Sequence, residues 1–142
     1  MIYTAATKRA LILCFEAHKD QTDKSGVPYV FHPFHLAESM TDETTTIVAL
    51  LHDVVEDAGY TFEDIKKEGF SDEVIEALKL LTHEDGVDYM DYVAAIKQNP
   101  IAKAVKLADL AHNSDTTRLD VIDERAKERV KTYAQAKELL LK

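Results

Sequence analysis

One histidine and three carboxylates crowd the end of an apolar run near position 50. Residues 47–57 read Ile-Val-Ala-Leu-Leu-His-Asp-Val-Val-Glu-Asp. In a continuous helix, His52 would lie four residues before Glu56, and Asp53 four residues before Asp57, so that the two pairs form neighbouring stripes. Burying this much charge is costly unless a cation lies among the carboxylates. The stretch therefore indicates a divalent metal site that needs further ligands from elsewhere in the chain.

Two other stretches offer such ligands. Lys106, Asp109 and Asn113 lie at i, i+3 and i+7 of an apolar helical pattern, and His32 follows a loop rich in turn residues. Taken singly, the first stretch is also explained by an exposed stripe whose Lys106–Asp109 ion pair contributes a few tenths of a kcal/mol. An isolated His32 is equally typical of a capping or packing histidine. The combination of the three stretches favours a metal more strongly than any one of them does.

The combined donor set contains two imidazoles and two carboxylates. Its members are His32, His52, Asp53 and Asp109. Such a mixed nitrogen and oxygen set suits Mn²⁺, Fe²⁺ or a similar six-coordinate ion better than a closed, cysteine-rich zinc site. Glu56 and Asp57 would lie behind the ligands, where they could orient a metal-activated water or accept its proton.

The elements that must position these residues are helices. Apolar periodicity and capping residues predict helices over about 4–19, 33–40, 43–57, 71–82, 88–98, 100–113 and 120–141, with a short one opening at Thr61. Residues 20–31 fit neither a helix nor a strand, and a loop of this length in a helical domain often carries function. No strand period, repeat or linker is visible. The prediction is an all-α fold, with residues 1–142 forming a single compact domain of seven or eight helices.

Composition restricts the partners. A formal net charge of −9 argues against a nucleic-acid polymer, although a small phosphorylated substrate could still be held by a metal and a few lysines. No apolar run approaches the roughly 20 residues of a membrane span, and the N-terminus does not read as a secretory signal. Cys14 is the only cysteine, so no intramolecular disulfide can form, and a cytoplasmic location is expected. The oligomeric state is not predicted.

Taken together, three motifs resemble those of the HD-domain phosphohydrolases. The resemblance is to the alarmone-hydrolase branch of the RelA/SpoT type, including small stand-alone hydrolases of the metazoan SpoT-homologue type. The motifs are His18-x-x-Gln21-x-x-Lys24-Ser25-Gly26-x-Pro28-Tyr29-x-x-His32-Pro33, His52-Asp53-x-x-Glu56-Asp57 and Lys106-Leu107-Ala108-Asp109-x-x-His112-Asn113. They occur in the family's order and span most of the chain from residue 5 to about 130.

The resemblance implies an HD-domain bundle and a Mn²⁺-dependent hydrolase, with Fe²⁺ or Mg²⁺ as alternative ions. Such an enzyme removes pyrophosphate from the 3′ position of guanosine tetra- or pentaphosphate through a metal-activated water. The residues that match the family's metal ligands are His32, His52, Asp53 and Asp109. Glu56 and Asp57 match its acidic pair for water activation. The positions that match its nucleotide and phosphate contacts are Lys24, Ser25, Tyr29, Asn113 and Thr116.

Two positions depart from the family pattern. Asp23 stands where the family usually has the first of two basic residues, and Asp115 stands where it commonly has an arginine. An acid at position 23 should repel phosphate and cannot stack on a base as arginine does. On this reasoning, Asp23→Arg is predicted to improve turnover of guanosine tetraphosphate.

Three alternative functions remain open. The same chemistry could act on another nucleotide, such as a deoxynucleoside monophosphate or a 2′-phosphorylated dinucleotide. A non-catalytic metal- and nucleotide-binding module is also possible, although the intact Glu56 and Asp57 argue against it. A purely structural domain is the least favoured alternative, because it would leave the charges of His52, Asp53 and Asp109 uncompensated.

Overall fold

The computed structural model describes all residues from Met1 to Lys142 and is all-helical, which confirms the predicted fold class. The α-helices are α1 (Ala5–His18), α2 (Phe31–Glu38), α3 (Glu43–Leu51), α4 (Val54–Ala58), α5 (Phe62–Lys67), α6 (Asp72–Leu81), α7 (Tyr89–Ile96), α8 (Pro100–Asn113) and α9 (Glu124–Leu141). A 3-10 turn, Thr116–Arg118, lies between α8 and α9. Between α1 and α2 runs the predicted loop, with an isolated antiparallel bridge from Thr22 to Pro28.

Local capping explains where several helices begin. Thr4 and Thr7 form a reciprocal capping box at the start of α1, with hydrogen bonds of 2.7 and 3.1 Å. The Asp42 carboxylate accepts a hydrogen bond from the first turn of α3, and the Asn99 side chain caps α8 ahead of Pro100. Each such cap stabilises a helix by about 1 kcal/mol, and each can be read from the sequence.

The prediction of one continuous helix over residues 43–57 is wrong. The chain leaves the helical path at His52 and Asp53, where Asp53 adopts φ −106° and ψ 1° before α4 begins. The His52 ring Nδ1 donates to the Ala49 carbonyl at 2.7 Å, which gives an end-of-helix carbonyl a side-chain partner. This break accounts for a ninth helix, and it means that His52–Glu56 and Asp53–Asp57 do not form stripes on one helix.

Two further boundaries differ from prediction. Helix α2 begins at Phe31, so His32 lies inside its first turn rather than just before it. Helix α9 begins at Glu124 rather than near residue 120, because the Asp123 carboxylate accepts from the Ala126 N–H at 2.8 Å and fixes the start there.

Helix α3 lies at the centre of the core. Every residue from Thr45 to Leu51 is buried, and α1, α2, α6 and α8 pack around this helix. Helix α9 in turn packs on α7 and α8. Residues 47–51 of α3 belong to a 26-residue apolar cluster that also includes residues of α2 and α8. No helix combines the length and the apolar character needed to cross a membrane.

Candidate metal centre and nucleotide cavity

Three buried residues from three different helical segments meet at the C-terminal end of α3. His32 comes from α2, His52 follows α3, and Asp109 comes from α8. The distance from His32 Nε2 to Asp109 Oδ1 is 2.9 Å, and that from His52 Nε2 to the same oxygen is 3.7 Å. One potential ligand atom from each residue lies within 4.8 Å of the others, which is close enough for a single ion to contact all three.

Hydrogen bonds orient both imidazoles towards this centre. His52 uses Nδ1 to donate to Ala49 O, so its Nε2 faces the carboxylates. That buried Nε2 makes no hydrogen bond of normal geometry, although Asp53 Oδ2 lies only 2.9 Å away. The Nδ1 atoms of His32 and His112 share a 2.7 Å hydrogen bond, which leaves His32 Nε2 facing Asp109. Ring orientation by the second nitrogen is typical of metal-binding histidines, so the donor set fits a divalent ion.

Asp53 joins this centre to a second group of acids. Its carboxylate and those of Glu56 and Asp57 lie within 4.8 Å of one another. The Tyr29 hydroxyl donates to Asp53 Oδ2, the oxygen that also lies beside His52. The four predicted ligands are therefore adjacent, but Asp53 bridges two clusters rather than completing a symmetric one.

Lys106 is the cation that compensates the buried Asp109. Its Nζ lies 3.0 Å from Asp109 Oδ2 and 5.2 Å from the centre of the Tyr92 ring. Burial alone would raise the pKa of Asp109, but the Lys106 ammonium and the two imidazoles hold that pKa well below its usual range. The pair is buried, unlike the exposed stripe that was one explanation of Lys106 and Asp109.

The pKa of His52 reflects the same negative charge. Burial opposes the charged imidazolium, but the carboxylates of Asp53 and Asp109 outweigh burial and raise the pKa well above its ordinary value. In the metal-free protein, the His52 imidazolium therefore supplies positive charge to the carboxylates, which a divalent cation held by these residues would supply instead.

The acids of the second group are held by their neighbours. The backbone N–H of His83 donates to Glu56 Oε1 at 2.8 Å. Although the Asp57 side chain is exposed overall, partial desolvation of its carboxyl and the nearby carboxylates of Asp53 and Glu56 raise its pKa to about 6. The first motif reaches this group as well, because the Gln21 amide donates to the Asp57 carbonyl oxygen at 3.0 Å.

A larger cavity of about 330 Å³ lies next to the smaller cavity of about 190 Å³ that contains the metal centre. Tyr29, His32 and Asn113 line both, so the two are contiguous. Of the predicted substrate contacts, four line the larger cavity: Lys24, Ser25, Tyr29 and Asn113. Thr116 lines neither cavity and instead begins the 3-10 turn.

The larger cavity also contains residues that sequence reasoning missed. Arg118 from the 3-10 turn and Arg129 and Tyr133 from α9 line it. Arg129 and Tyr133 are four residues apart and so share a face of α9. In the sequence, that spacing cannot be distinguished from the ordinary amphipathic pattern of a closing helix, and nothing marks Arg118.

The structure is an all-α bundle in which a buried His/His/Asp centre, suited to binding a divalent metal ion, lies beside a cavity with charged side chains. The family profile described as HD domain matches residues 10–138. This chain therefore belongs to the HD-domain family. Membership implies a divalent metal ion, and His32, His52 and Asp109 form the candidate centre for it.

Several curated proteins are similar to this chain. A probable GTP pyrophosphokinase of Mycobacterium leprae is 36% identical over 124 residues, which cover 78% of this chain and 16% of that protein. The guanosine-3′,5′-bis(diphosphate) 3′-pyrophosphohydrolase of Aquifex aeolicus is 33% identical over 142 residues, covering 89% and 20%. The bifunctional (p)ppGpp synthase/hydrolase SpoT of Escherichia coli is 32% identical over 124 residues, covering 77% and 18%. The chain thus spans a fifth or less of the length of these relatives.

A solved structure shares the fold. It comes from work describing a metazoan orthologue of SpoT that hydrolyses ppGpp, and it superposes with a TM-score of 0.79 at 24% identity. The match covers 99% of this chain and 88% of the other. The helical arrangement is therefore that of a known HD-type structure over nearly the whole chain.

Proposed function

We propose that this chain is a metal-dependent phosphohydrolase that releases pyrophosphate from the 3′ position of guanosine tetra- or pentaphosphate. We further propose that residues 1–142 act as one HD-type domain for this reaction. The names of the relatives from Aquifex and Escherichia support the choice of substrate. The small nucleotide is the only partner that the proposal requires.

The observation that carries the proposal is the continuity between the metal centre and the larger cavity. Tyr29, His32 and Asn113 line both spaces, so a ligand can extend from one into the other. The larger cavity, about 330 Å³, is at the lower end of the range for small-molecule sites. A nucleotide can therefore place the phosphate to be cleaved at the metal and the rest of the molecule in the cavity.

The proposed metal ligands are the four residues His32, His52, Asp53 and Asp109. Their mixed nitrogen and oxygen donors favour Mn²⁺, with Fe²⁺ or Mg²⁺ as alternatives. When bound, the ion supplies Lewis acidity that polarises a phosphoryl oxygen and lowers the pKa of water. The protein's contribution is to hold the imidazoles by their second nitrogens and to keep Asp109 ionised beside Lys106.

Glu56 and Asp57 are the proposed proton-transfer residues. Glu56 keeps a fixed position because His83 N–H donates to its Oε1, which leaves Oε2 to accept a proton from the attacking water. Asp57, with its pKa raised to about 6, holds a proton more readily than an ordinary aspartate and can deliver it to the departing oxygen. Adjacent carboxyls with different environments are a common basis for such a division of roles.

The proposed substrate contacts are Lys24, Ser25, Tyr29, Asn113 and Thr116. Lys24 and Ser25 lie in the α1–α2 loop and can offer an ammonium and a hydroxyl to phosphate oxygens. Asn113 is fixed by the hydrogen bond from its Nδ2 to Asp109 Oδ1 at 3.0 Å, so its position depends on the metal centre. Thr116, which does not line the cavity, could reach a bound nucleotide only at the cavity's edge.

The first experiment measures pyrophosphate release from guanosine tetraphosphate by the purified protein with Mn²⁺. We expect release that stops on chelation and returns on adding Mn²⁺. A panel of deoxynucleoside monophosphates and 2′-phosphorylated dinucleotides tests the competing substrates in the same assay. The absence of turnover of any nucleotide with any divalent ion contradicts the enzymatic function.

Two substitutions test the division of roles. Asp53→Ala should lose both bound metal and activity, whereas Glu56→Gln should retain the metal and lose at least about 100-fold in kcat. Glu76→Gln is the matched control, because Glu76 is exposed on α6 and pairs only with Lys79. Metal loss in Glu56→Gln as large as in Asp53→Ala would refute the assignment.

A further inference from the structure

We propose that Arg118 binds the 5′-phosphates that the substrate keeps, and that Asp23 and Asp115 are positioning residues for it. This inference rests on the nucleotide phosphohydrolase function proposed above and adds to that function a residue outside the three motifs. Arg118 ends the 3-10 turn and lines the larger cavity, but it does not line the cavity that contains the metal centre. It therefore faces the part of the nucleotide that is not cleaved.

The guanidinium of Arg118 makes hydrogen bonds within the protein only through Nη1. Its Nη1 donates to the His112 carbonyl at 2.8 Å and to Asn113 Oδ1 at 3.5 Å, both in the last turn of α8. Its Nη2 lies 3.9 Å from Asp23 Oδ2, and the side chain is 27% exposed. Neither Nε nor Nη2 makes a hydrogen bond within the protein. A planar fork held in this way presents its unused N–H groups to an anion.

Asp23 uses both carboxylate oxygens within the protein. Oδ1 accepts from the backbone N–H groups of Ser25 and Val27, at 2.9 and 3.0 Å, and so closes the turn of the α1–α2 loop. Oδ2 faces Arg118. The carboxylate that was expected to repel phosphate is therefore engaged by two backbone donors and a guanidinium.

Asp115 has the equivalent role in the 3-10 turn. Its Oδ1 accepts from Thr117 N–H at 3.1 Å and from the Thr117 hydroxyl at 2.5 Å. These bonds lower the pKa of Asp115 and keep it ionised. They also close the turn at whose end Arg118 stands. Both acids that depart from the family pattern thus build turns that position one arginine.

The charge of the cavity lining favours a phosphate as the ligand of Arg118. Three cations line the cavity, Lys24, Arg118 and Arg129, against the two carboxylates of Asp23 and Asp115, in a chain whose net charge is −9. The formal charge of this lining is therefore +1 (three cations minus two carboxylates), and both carboxylates also accept hydrogen bonds within the protein. In guanosine tetraphosphate, the anionic group remote from the 3′ cleavage point is the 5′-diphosphate.

The inference reverses one expectation drawn from the sequence. Asp23→Arg removes the side-chain acceptor of two backbone N–H groups in the loop turn and places a second cation against Arg118. Turnover of guanosine tetraphosphate should therefore fall rather than rise. Asp23→Asn is the milder variant, because its Oδ1 can still accept from Ser25 and Val27 while the charge on Oδ2 is lost.

The main test compares guanosine tetraphosphate with guanosine 3′-diphosphate, which lacks the 5′-phosphates. Arg118→Ala should lower kcat/KM for the tetraphosphate by about 10- to 100-fold, mainly through KM, since a charge-assisted hydrogen bond is lost. For guanosine 3′-diphosphate, it should change kcat/KM by less than about threefold. Arg125→Ala is the control, because Arg125 is exposed in the first turn of α9 and does not line the cavity.

The remaining outcomes separate this inference from the proposed function. Equal losses on both substrates mean that Arg118 acts on the fold rather than on the 5′-phosphates, and improved turnover in Asp23→Arg contradicts the positioning role. If the parent protein hydrolyses neither substrate, the proposed function fails, and calorimetry with guanosine 5′-diphosphate still tests Arg118. Binding that weakens about 10-fold in Arg118→Ala supports the inference. Unchanged binding, or none by the parent, overturns it.

Discussion

Replacing Lys106 with methionine is the sharpest test of how the charge at the metal centre is compensated. Lys106 is the only lysine or arginine that lines the cavity containing the centre, and its Nζ lies 3.0 Å from Asp109 Oδ2. Methionine keeps most of the length and the apolar stem while removing the charge. The substitution leaves the Asp109 carboxylate buried with only imidazoles and the Asn113 amide as partners.

The expected magnitude follows from the geometry. Two unit charges 3.0 Å apart interact by about 5 to 6 kcal/mol at an effective dielectric constant near 20. Part of this gain is offset by the cost of burying the ammonium, and removal of one partner from a buried pair costs about 3 to 5 kcal/mol. Because the raised pKa of His52 keeps positive charge beside Asp109, we expect the lower end. The metal-free protein should lose about 3 kcal/mol of unfolding free energy.

The assay is urea unfolding near neutral pH, with chelator or with saturating Mn²⁺. A bound ion places positive charge next to Asp109, so Mn²⁺ should reduce the difference between Lys106→Met and the parent by at least about 1 kcal/mol. Lys103→Met, on the same helix and without an ion pair, should stay within about 0.5 kcal/mol of the parent. A metal-free loss below about 1 kcal/mol, or a loss that Mn²⁺ does not reduce, would refute the reasoning.

Three further predictions use other groups. The pKa of Asp57 is raised from 3.8 to about 6, so the folded state loses stability as pH rises through this window. Asp57→Asn should therefore make the metal-free protein more stable above pH 6, with no difference below about pH 4. The shift in pKa corresponds nominally to about 3 kcal/mol of unfolding free energy, and solvent screening of this exposed side chain reduces that to about 1 kcal/mol. If Asp57→Asn and the parent have the same stability at every pH, the prediction is wrong. Tyr29→Phe removes the hydroxyl that donates a hydrogen bond to Asp53. The metal-free protein should lose about 1 kcal/mol of unfolding free energy, measured by thermal unfolding. An unchanged free energy of unfolding would show that this hydrogen bond does not stabilise the fold. Burial raises the pKa of the Cys14 thiol to about 12, so a thiolate-directed reagent should label the folded protein at least about 100-fold more slowly than the denatured protein, whereas equal rates would contradict its burial.

Local interactions made much of the fold predictable. The starts of α1 and α8 depend on side chains within three residues of the helix, and the apolar run of α3 is buried as its composition indicated. The break after α3 was not predictable in the same way. At this break, the His52 ring donates a hydrogen bond to the Ala49 carbonyl, and the Tyr29 hydroxyl donates one to Asp53. Tyr29 and Asp53 are 24 positions apart in sequence, so the second contact depends on the tertiary structure.

The candidate site shows the same difference between features set by local sequence and features set by tertiary contacts. Motif spacing predicted the candidate metal ligands, because donor types and their order along the chain are local properties. The sequence did not predict that Asp23 would accept hydrogen bonds from its own loop and lie beside the guanidinium of Arg118, 95 residues later. An isolated acid in a sequence reads as free negative charge, since its hydrogen-bond partners are not visible there.

By itself, the sequence determined the helical class and the motif residues, and it predicted a cation among the carboxylates beside His52. Periodicity and side-chain chemistry are properties of individual residues and their spacing. Only the tertiary structure decided that α2, α3 and α8 bring His32, His52 and Asp109 together, that Lys106 is buried against that centre, and that Arg118 faces the adjoining cavity. These features depend on how distant segments pack around α3. Packing sets distances and burial, and these in turn decide whether a charged side chain is solvated, paired or free to bind a ligand.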